Sequence, residues 1–120
     1  MSLPQYSAVK DLLLQLSESL LTWKQESEIG GSWVGTQLKT EADNRAHEVI
    51  NTGLNRISPD IPVISEEDEA QQLQERPQQY WLIDPIDGTA SYSNGFAGYV
   101  AQLALIENHI PVYGCIVAPE

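Results

Sequence analysis

The sequence has one cysteine, Cys115, in 120 residues. No disulfide can therefore form within the chain, and a reducing, cytoplasmic setting is the default expectation. Positive charge is also scarce: Asp plus Glu outnumber Lys plus Arg by 17 to 6, for a formal net charge of −11. This excludes the basic stripe by which proteins grip nucleic-acid polymers, and an anionic membrane surface would repel the chain. No apolar run is long enough to span a bilayer. The N-terminus lacks the basic stretch and apolar core of a secretory signal. Internal repeats and low-complexity tracts are missing. What remains is one domain's worth of residues with an ordinary apolar share. The acid excess fits a cation-binding protein and, equally, plain solubility.

In chain order, Val9, Leu12, Leu13, Leu16, Leu20 and Trp23 recur at intervals of three and four, which predicts a helix from Pro4 to about Ser27. Gly30-Gly31-Ser32-Trp33-Val34-Gly35-Thr36 is expected to be a flexible loop, with Trp33 folding over a neighbouring surface or a ligand. A second helix is expected from Thr40 to about Ile57, with Ala46, Val49, Ile50, Leu54 and Ile57 on its apolar face. Thr40 suits its N-cap, and Asp43 can accept from the first-turn amides. Capping alone would explain Asp43, and His47 by itself makes no metal site. Ile61 to Ile64 is expected to form a strand running into Ser65-Glu66-Glu67-Asp68-Glu69. That run is either a solvated acidic loop or an acid cluster set at a strand end. Ala70 to Gln79 is expected to be a surface connection. Tyr99–Ile106 and Pro111–Val117, joined at Glu107-Asn108-His109, predict an antiparallel hairpin.

The most informative stretch is Trp81-Leu82-Ile83-Asp84-Pro85-Ile86-Asp87-Gly88-Thr89. A buried strand is expected to end at Ile83 and the chain to turn at Asp84–Gly88. Its two acids are three apart, so both carboxylates can point into one space. At about 4 Å they would repel by about 4 kcal/mol at an effective dielectric near 20, unless a cation lies between them. Hard oxygen donors suit Mg²⁺, and the Gly88 and Thr89 amides offer an anion site. A plain type I turn would use the same residue types. The haloacid dehalogenase phosphatases also end their motif in Asp-Gly-Thr, but their acids are two apart and the first is a covalent nucleophile.

WLIDPIDGT, preceded by ISEE and by KTEAD at a helix start, resembles the inositol monophosphatase family of Mg²⁺-dependent, lithium-sensitive phosphatases. The later NGF and AQLALIENHIPVYGCIVAPE are similar to its 3′(2′),5′-bisphosphate nucleotidase branch. The resemblance implies an α+β fold: two N-terminal helices packed on an antiparallel sheet, the first half of the layered sugar-phosphatase fold. It implies hydrolysis of a small phosphate monoester, inositol monophosphate or 3′-phosphoadenosine 5′-phosphate, by metal-activated water without a covalent phospho-enzyme. Two or three Mg²⁺ ions are implied. Glu66 is implied as a ligand of the first ion and Glu67 as support for a bound water. Asp84 would bridge two ions, Ile86 would lend its main-chain carbonyl and Asp87 would bind the second ion. Gly88 and Thr89 amides would hold the phosphate, and Asp43 with the Thr89 hydroxyl would orient and deprotonate the attacking water. The family's chain is longer. Its later part, absent here, carries another metal-binding Asp and most specificity contacts. Residues 1–120 are therefore expected to be the N-terminal metal-binding part of such a phosphatase, either as a truncated form or paired as a homodimer. A non-catalytic metal-binding module is the rival expectation.

Overall fold

The computed structural model describes residues 3–26, 31–34, 37–65 and 76–120. Helix α1 spans Leu3–Gln25 and α2 spans Glu41–Ile57. Between them lies a hairpin of β1, Gly31–Val34, and β2, Gln37–Thr40, paired antiparallel with Trp33 opposite Leu38. The rest comprises β3 (Val63–Ser65), β4 (Gln79–Asp87), a five-residue helix α3 (Thr89–Ser93), β5 (Val100–Glu107) and β6 (Ile110–Val117). The main sheet has the order β3-β4-β5-β6.

The apolar stripe of α1 buries as its spacing dictates: Val9, Leu12, Leu13, Leu16 and Leu20 are all in the core, with Trp23 packed at its edge. From α2 come Ala42, Ala46, Ile50 and Leu54. Both helices cover one face of the sheet, which contributes Trp81, Ile83, Ala101, Leu103 and Leu105. The buried Trp81 indole donates to Ser58 Oγ at 2.9 Å, and Ser58 N donates to Leu54 O at 2.8 Å. That pair satisfies the indole N–H, which would otherwise be stranded in the core, and pins the end of α2 to β4. The opposite face of the sheet carries Ile64, Tyr80, Leu82, Ala104 and Ile106 and is partly open, with Ile116 68 % exposed.

The fold class agrees with expectation, with three local differences. First, the Gly30–Thr36 stretch expected as a flexible loop contributes a strand. Cross-strand pairing and the strand preference of Trp33, Val34 and Thr40 outweigh the local glycine signal. The Trp33 side chain lies outside the described residues. Second, β3 pairs with β4 in parallel, so the sheet is antiparallel only from β4 to β6. Thirteen residues separate β3 from β4, about the length a parallel crossover needs; the part of them from 66 to 75 lies outside the described residues. Third, the strand after Trp81 continues through Asp87 instead of turning at Asp84. The β5–β6 turn falls as expected, with Asn108 and His109 both at positive φ, 50° and 66°.

Helix α2 meets α1 at Gly53. A Cβ built there would stand 2.4 Å from Leu12 Cδ1 and 2.6 Å from Cδ2. Alanine favours a helix over glycine by about 1 kcal/mol, yet overpacking a core costs about 1–3 kcal/mol. Gly53→Ala is therefore expected to lower the melting temperature. Because the clash is with the end of one side chain, Leu12→Ala combined with Gly53→Ala should lose less than the two separate losses summed, as a thermal-melt double-mutant cycle will register.

Candidate active site

The site is assembled where the C-terminal end of β4 meets the first turn of α2. Thr40 is the N-cap of α2, with extended φ and ψ of −125° and 165°. Its hydroxyl accepts from Asp43 N at 3.1 Å, and Asp43 Oδ2 accepts from Thr40 N at 2.8 Å and from Thr40 Oγ1 at 2.9 Å. This is a capping box with Asp in the acid position. It uses only one carboxylate oxygen. Asp43 Oδ1 faces the other way and accepts from the Thr89 hydroxyl at 3.1 Å, across 46 residues of sequence. Capping and a site contact therefore coexist in one buried side chain.

Thr89 is the first residue of α3. Its hydroxyl is also 3.2 Å from the Ile86 carbonyl, so one proton is shared between Asp43 and Ile86. Gly88, just before it, has φ +90°, and a Cβ there would sit 3.3 Å from Tyr99 Cα and 3.4 Å from Gly98 O. That dihedral and that backbone contact together require glycine. They bring the backbone of residues 88–89 close to β5 while the chain reverses from strand to helix.

The two acids of β4 owe their alignment to a bulge. In a regular strand, residues three apart point to opposite faces. Here Asp84 is opposite Gln102 and Asp87 is opposite Val100, so β4 spends three steps where β5 spends two. The extra residue falls at Pro85-Ile86, as a proline inside a strand requires. It re-phases the strand so that Asp84 and Asp87 come to the same side. Gln102 donates to Asp87 Oδ2 at 3.5 Å. Sequence reading missed Gln102, because its place opposite Asp84 follows from cross-strand register. Asp84 is 9 % exposed, while Asp87 is exposed. Asp84 also lines an open groove of about 540 Å³ on the uncovered sheet face, with Leu82, Gln102, Ala104, Gly114 and Ile116.

Of the sequence-derived candidates, Asp43, Ile86 and Thr89 are in contact, and Asp84, Asp87 and Gly88 adjoin them along one segment. Glu66 and Glu67 lie outside the described residues. Asp84, Asp87 and the Ile86 carbonyl offer only oxygen donors, the set preferred by Mg²⁺ or Ca²⁺. Among the described residues, no three His, Cys, Asp or Glu side chains form a metal-holding group by themselves.

Behind the site, Tyr92 of α3 is fully buried and donates to the Leu20 carbonyl at 2.6 Å. Burial, and then the charges of Asp43 and Glu120, push its hydroxyl up to about 12. Tyr113, stacked on Tyr6 with ring centroids 4.2 Å apart, is also pushed up to about 12, first by burial and then by Cys115. Both groups hold their protons in the fold, whereas in the unfolded chain they ionise near pH 10. Their contribution to stability is thus complete below pH 10 and is lost as pH rises from 10 toward about 12. Urea unfolding at pH 9, 10 and 11 is expected to show constant stability up to 10 and a decline above it. A flat profile through pH 11 would contradict the shifts.

Comparison with known proteins bears on this arrangement. A sequence profile of the inositol monophosphatase family matches residues 5–120. The 3′(2′),5′-bisphosphate nucleotidase CysQ of Salmonella typhimurium is 46% identical over 81 residues, covering 67% of this chain and 33% of its own length. The Nus factor SuhB of Xylella fastidiosa is 38% identical over 80 residues, covering 67% of this chain and 28% of its own length. Among solved structures, the IMPase of Thermotoga maritima superposes with a TM-score of 0.80 at 25% identity, over 99% of this chain and 45% of that one. An IMPase/NADP phosphatase complexed with NADP and Ca²⁺ superposes with a TM-score of 0.83 at 20% identity, over 99% and 46% of the two chains. The chain thus spans about a third of the length of the curated relatives it matches. Among the described residues, no helix is long and apolar enough to cross a membrane.

Proposed function

The chain belongs to the inositol monophosphatase family, and from that premise we propose that it forms the front, metal-binding part of a Mg²⁺-dependent phosphatase acting on a small phosphate monoester. The observation that carries this reading is the 3.1 Å bond from Thr89 to Asp43, made beside the carbonyl of Ile86, which with Pro85 separates the re-phased acids Asp84 and Asp87 along β4. The similarity to CysQ favours a 3′(2′),5′-bisphosphate nucleotide as substrate over inositol monophosphate.

Asp84, Asp87 and the Ile86 carbonyl are the residues that would hold divalent ions, and the family resemblance implies Glu66 as a further ligand and Glu67 as support for a bound water. Such ions, when bound, neutralise charge on the transferring phosphoryl group and acidify water. The chain's own residues do the rest. The Thr89 hydroxyl donates to Asp43, which leaves its oxygen free to accept from a water and hold it for in-line attack. As that water attacks phosphorus and the bond from phosphorus to the leaving alkoxide oxygen breaks, the water's proton passes to Thr89 Oγ1 while the Thr89 proton moves to Asp43 Oδ1, and the departing alkoxide takes a proton from solvent water. Asp43 is the general base of this relay, and its other oxygen stays fixed by Thr40. The N–H groups that open α3 have no helical acceptor, and those of Gly88 and Thr89 face the phosphoryl oxygens.

Phosphate release from 3′-phosphoadenosine 5′-phosphate, inositol monophosphate and sugar bisphosphates, by the full-length protein with and without Mg²⁺, tests the reading. Mg²⁺-dependent turnover of at least one ester is expected, fastest on the bisphosphate nucleotide. Mg²⁺ binding without turnover on any of them would leave a metal-binding module instead. A trapped phosphoryl group on Asp84 would favour an aspartyl-phosphate mechanism, against which both the family match and the acid spacing stand. A cytoplasmic setting and a homodimer belong to the same proposal, and the sedimentation mass of the full-length protein checks the dimer.

A further inference from the structure

The helix that carries Thr89 is too short to hold itself in place. Five residues fall well below the length at which an isolated helix persists in water. Its N-cap, Gly88, offers no side-chain cap. Among Thr89–Ser93 only Tyr92 is buried. Its ring packs edge-on to Tyr99 with centroids 4.8 Å apart, and Tyr99 in turn lies against Gly88 through its Cα. Its hydroxyl ends on the backbone of α1, at Leu20 O, 72 residues away. Tyr92 N donates back to Gly88 O at 3.1 Å, which closes the first turn of α3 directly under Thr89. Nearby, Lys24 of α1 pairs with Glu120 and donates to Phe96 O at 3.3 Å. The segment after α3 is thereby tied to the same part of α1.

We propose that Tyr92 is a positioning residue for the Thr89–Asp43 pair: its hydroxyl bond to α1 fixes where α3 begins, and so where the Thr89 hydroxyl meets Asp43 Oδ1. This rests on the phosphatase reading for its effect on rate, but not for its effect on structure. Asp43 is already fixed by Thr40, so the pair has one rigid half, and the other half is set through Tyr92. A bond of 2.6 Å from a fully buried hydroxyl to a carbonyl leaves little slack. Phenylalanine in its place would keep the ring and free the helix to shift.

The test compares Tyr92→Phe with Tyr113→Phe in the full-length protein. Tyr113 also reaches α1, with its hydroxyl 3.5 Å from Tyr6 O, but it belongs to β6 and does not carry α3. Amide hydrogen exchange at residues 89–93 is expected to quicken about tenfold or more in Tyr92→Phe and to stay unchanged in Tyr113→Phe. In the active protein, kcat should fall about 10- to 100-fold for Tyr92→Phe, as a displacement near 1 Å can cause, with KM within about twofold. Tyr113→Phe should leave kcat unaltered. Equal exchange and equal kcat in the two variants would reduce Tyr92 to an ordinary core residue and overturn the proposal. Should the parent protein hydrolyse no ester, the exchange comparison still decides the positioning role, while the phosphatase reading fails separately.

Discussion

Asp43→Asn is expected to lower turnover of the full-length protein by about 10²- to 10⁴-fold, the range a positioned general base contributes, with little loss of stability. The two oxygens of Asp43 have separate partners. Oδ2 accepts from Thr40 N at 2.8 Å and Oδ1 from Thr89 Oγ1 at 3.1 Å. An asparagine side-chain oxygen can accept from Thr40 N and Thr40 Oγ1 as the aspartate Oδ2 does, so its single oxygen will settle on the Thr40 side. Its NH₂ then faces Thr89, which must accept where it had donated. The Thr89 proton turns wholly to the Ile86 carbonyl, already 3.2 Å away, and no acceptor remains for the proton of an attacking water. Thr89→Ala removes the other half of the relay and should give a similar loss with near-normal Mg²⁺ binding. Phosphate-release rates with thermal melts of each variant provide the check. A variant that keeps its rate removes that side chain from the relay.

Asp84→Asn is expected to abolish the stabilisation that Mg²⁺ gives the parent protein. A ligand at about 100 times its Kd, bound only by the folded form, adds about 2.7 kcal/mol. Asp84 is the buried acid of the pair, 9 % exposed, and the bulge sets Asp87 on the same side. Each protein is therefore compared with its own melting curve in the absence of Mg²⁺. With Mg²⁺ the parent should gain and the variant should not. Melting curves with increasing Mg²⁺ settle the matter; an equal gain in both proteins would place the cation elsewhere.

Much of this could be deduced from local pattern. The stripe from Val9 to Trp23 specifies a helix because every third or fourth side chain must leave water together. Thr40 and Asp43 specify a helix start because their spacing matches the reach of a side chain to an amide one turn on. Short β-branched and apolar runs specify the strands of the hairpin at Asn108-His109. In each case the partners lie within a few residues, so the sequence by itself determines the outcome. The residue types of the WLIDPIDGT motif fit oxygen ligation and an anion site, but they fit a plain turn as well.

Only the tertiary structure decided how those pieces work together. Whether Asp43 is just a cap depends on Thr89, 46 residues later, and on its two oxygens being divided between Thr40 and Thr89. Whether Asp84 and Asp87 face one way depends on a bulge, defined by the register of β4 against β5 and not by β4 alone. The strand at Gly31–Val34 and the parallel partnership of β3 likewise arise from pairing, which outweighs local glycine content and chain direction. The Gly31–Val34 strand is the exception in range, since its partner β2 lies within ten residues; the other three share one physical reason. A carboxylate's neighbours and a strand's register are set by contacts that form only after distant segments have packed, and no window of consecutive residues contains both sides of such a contact.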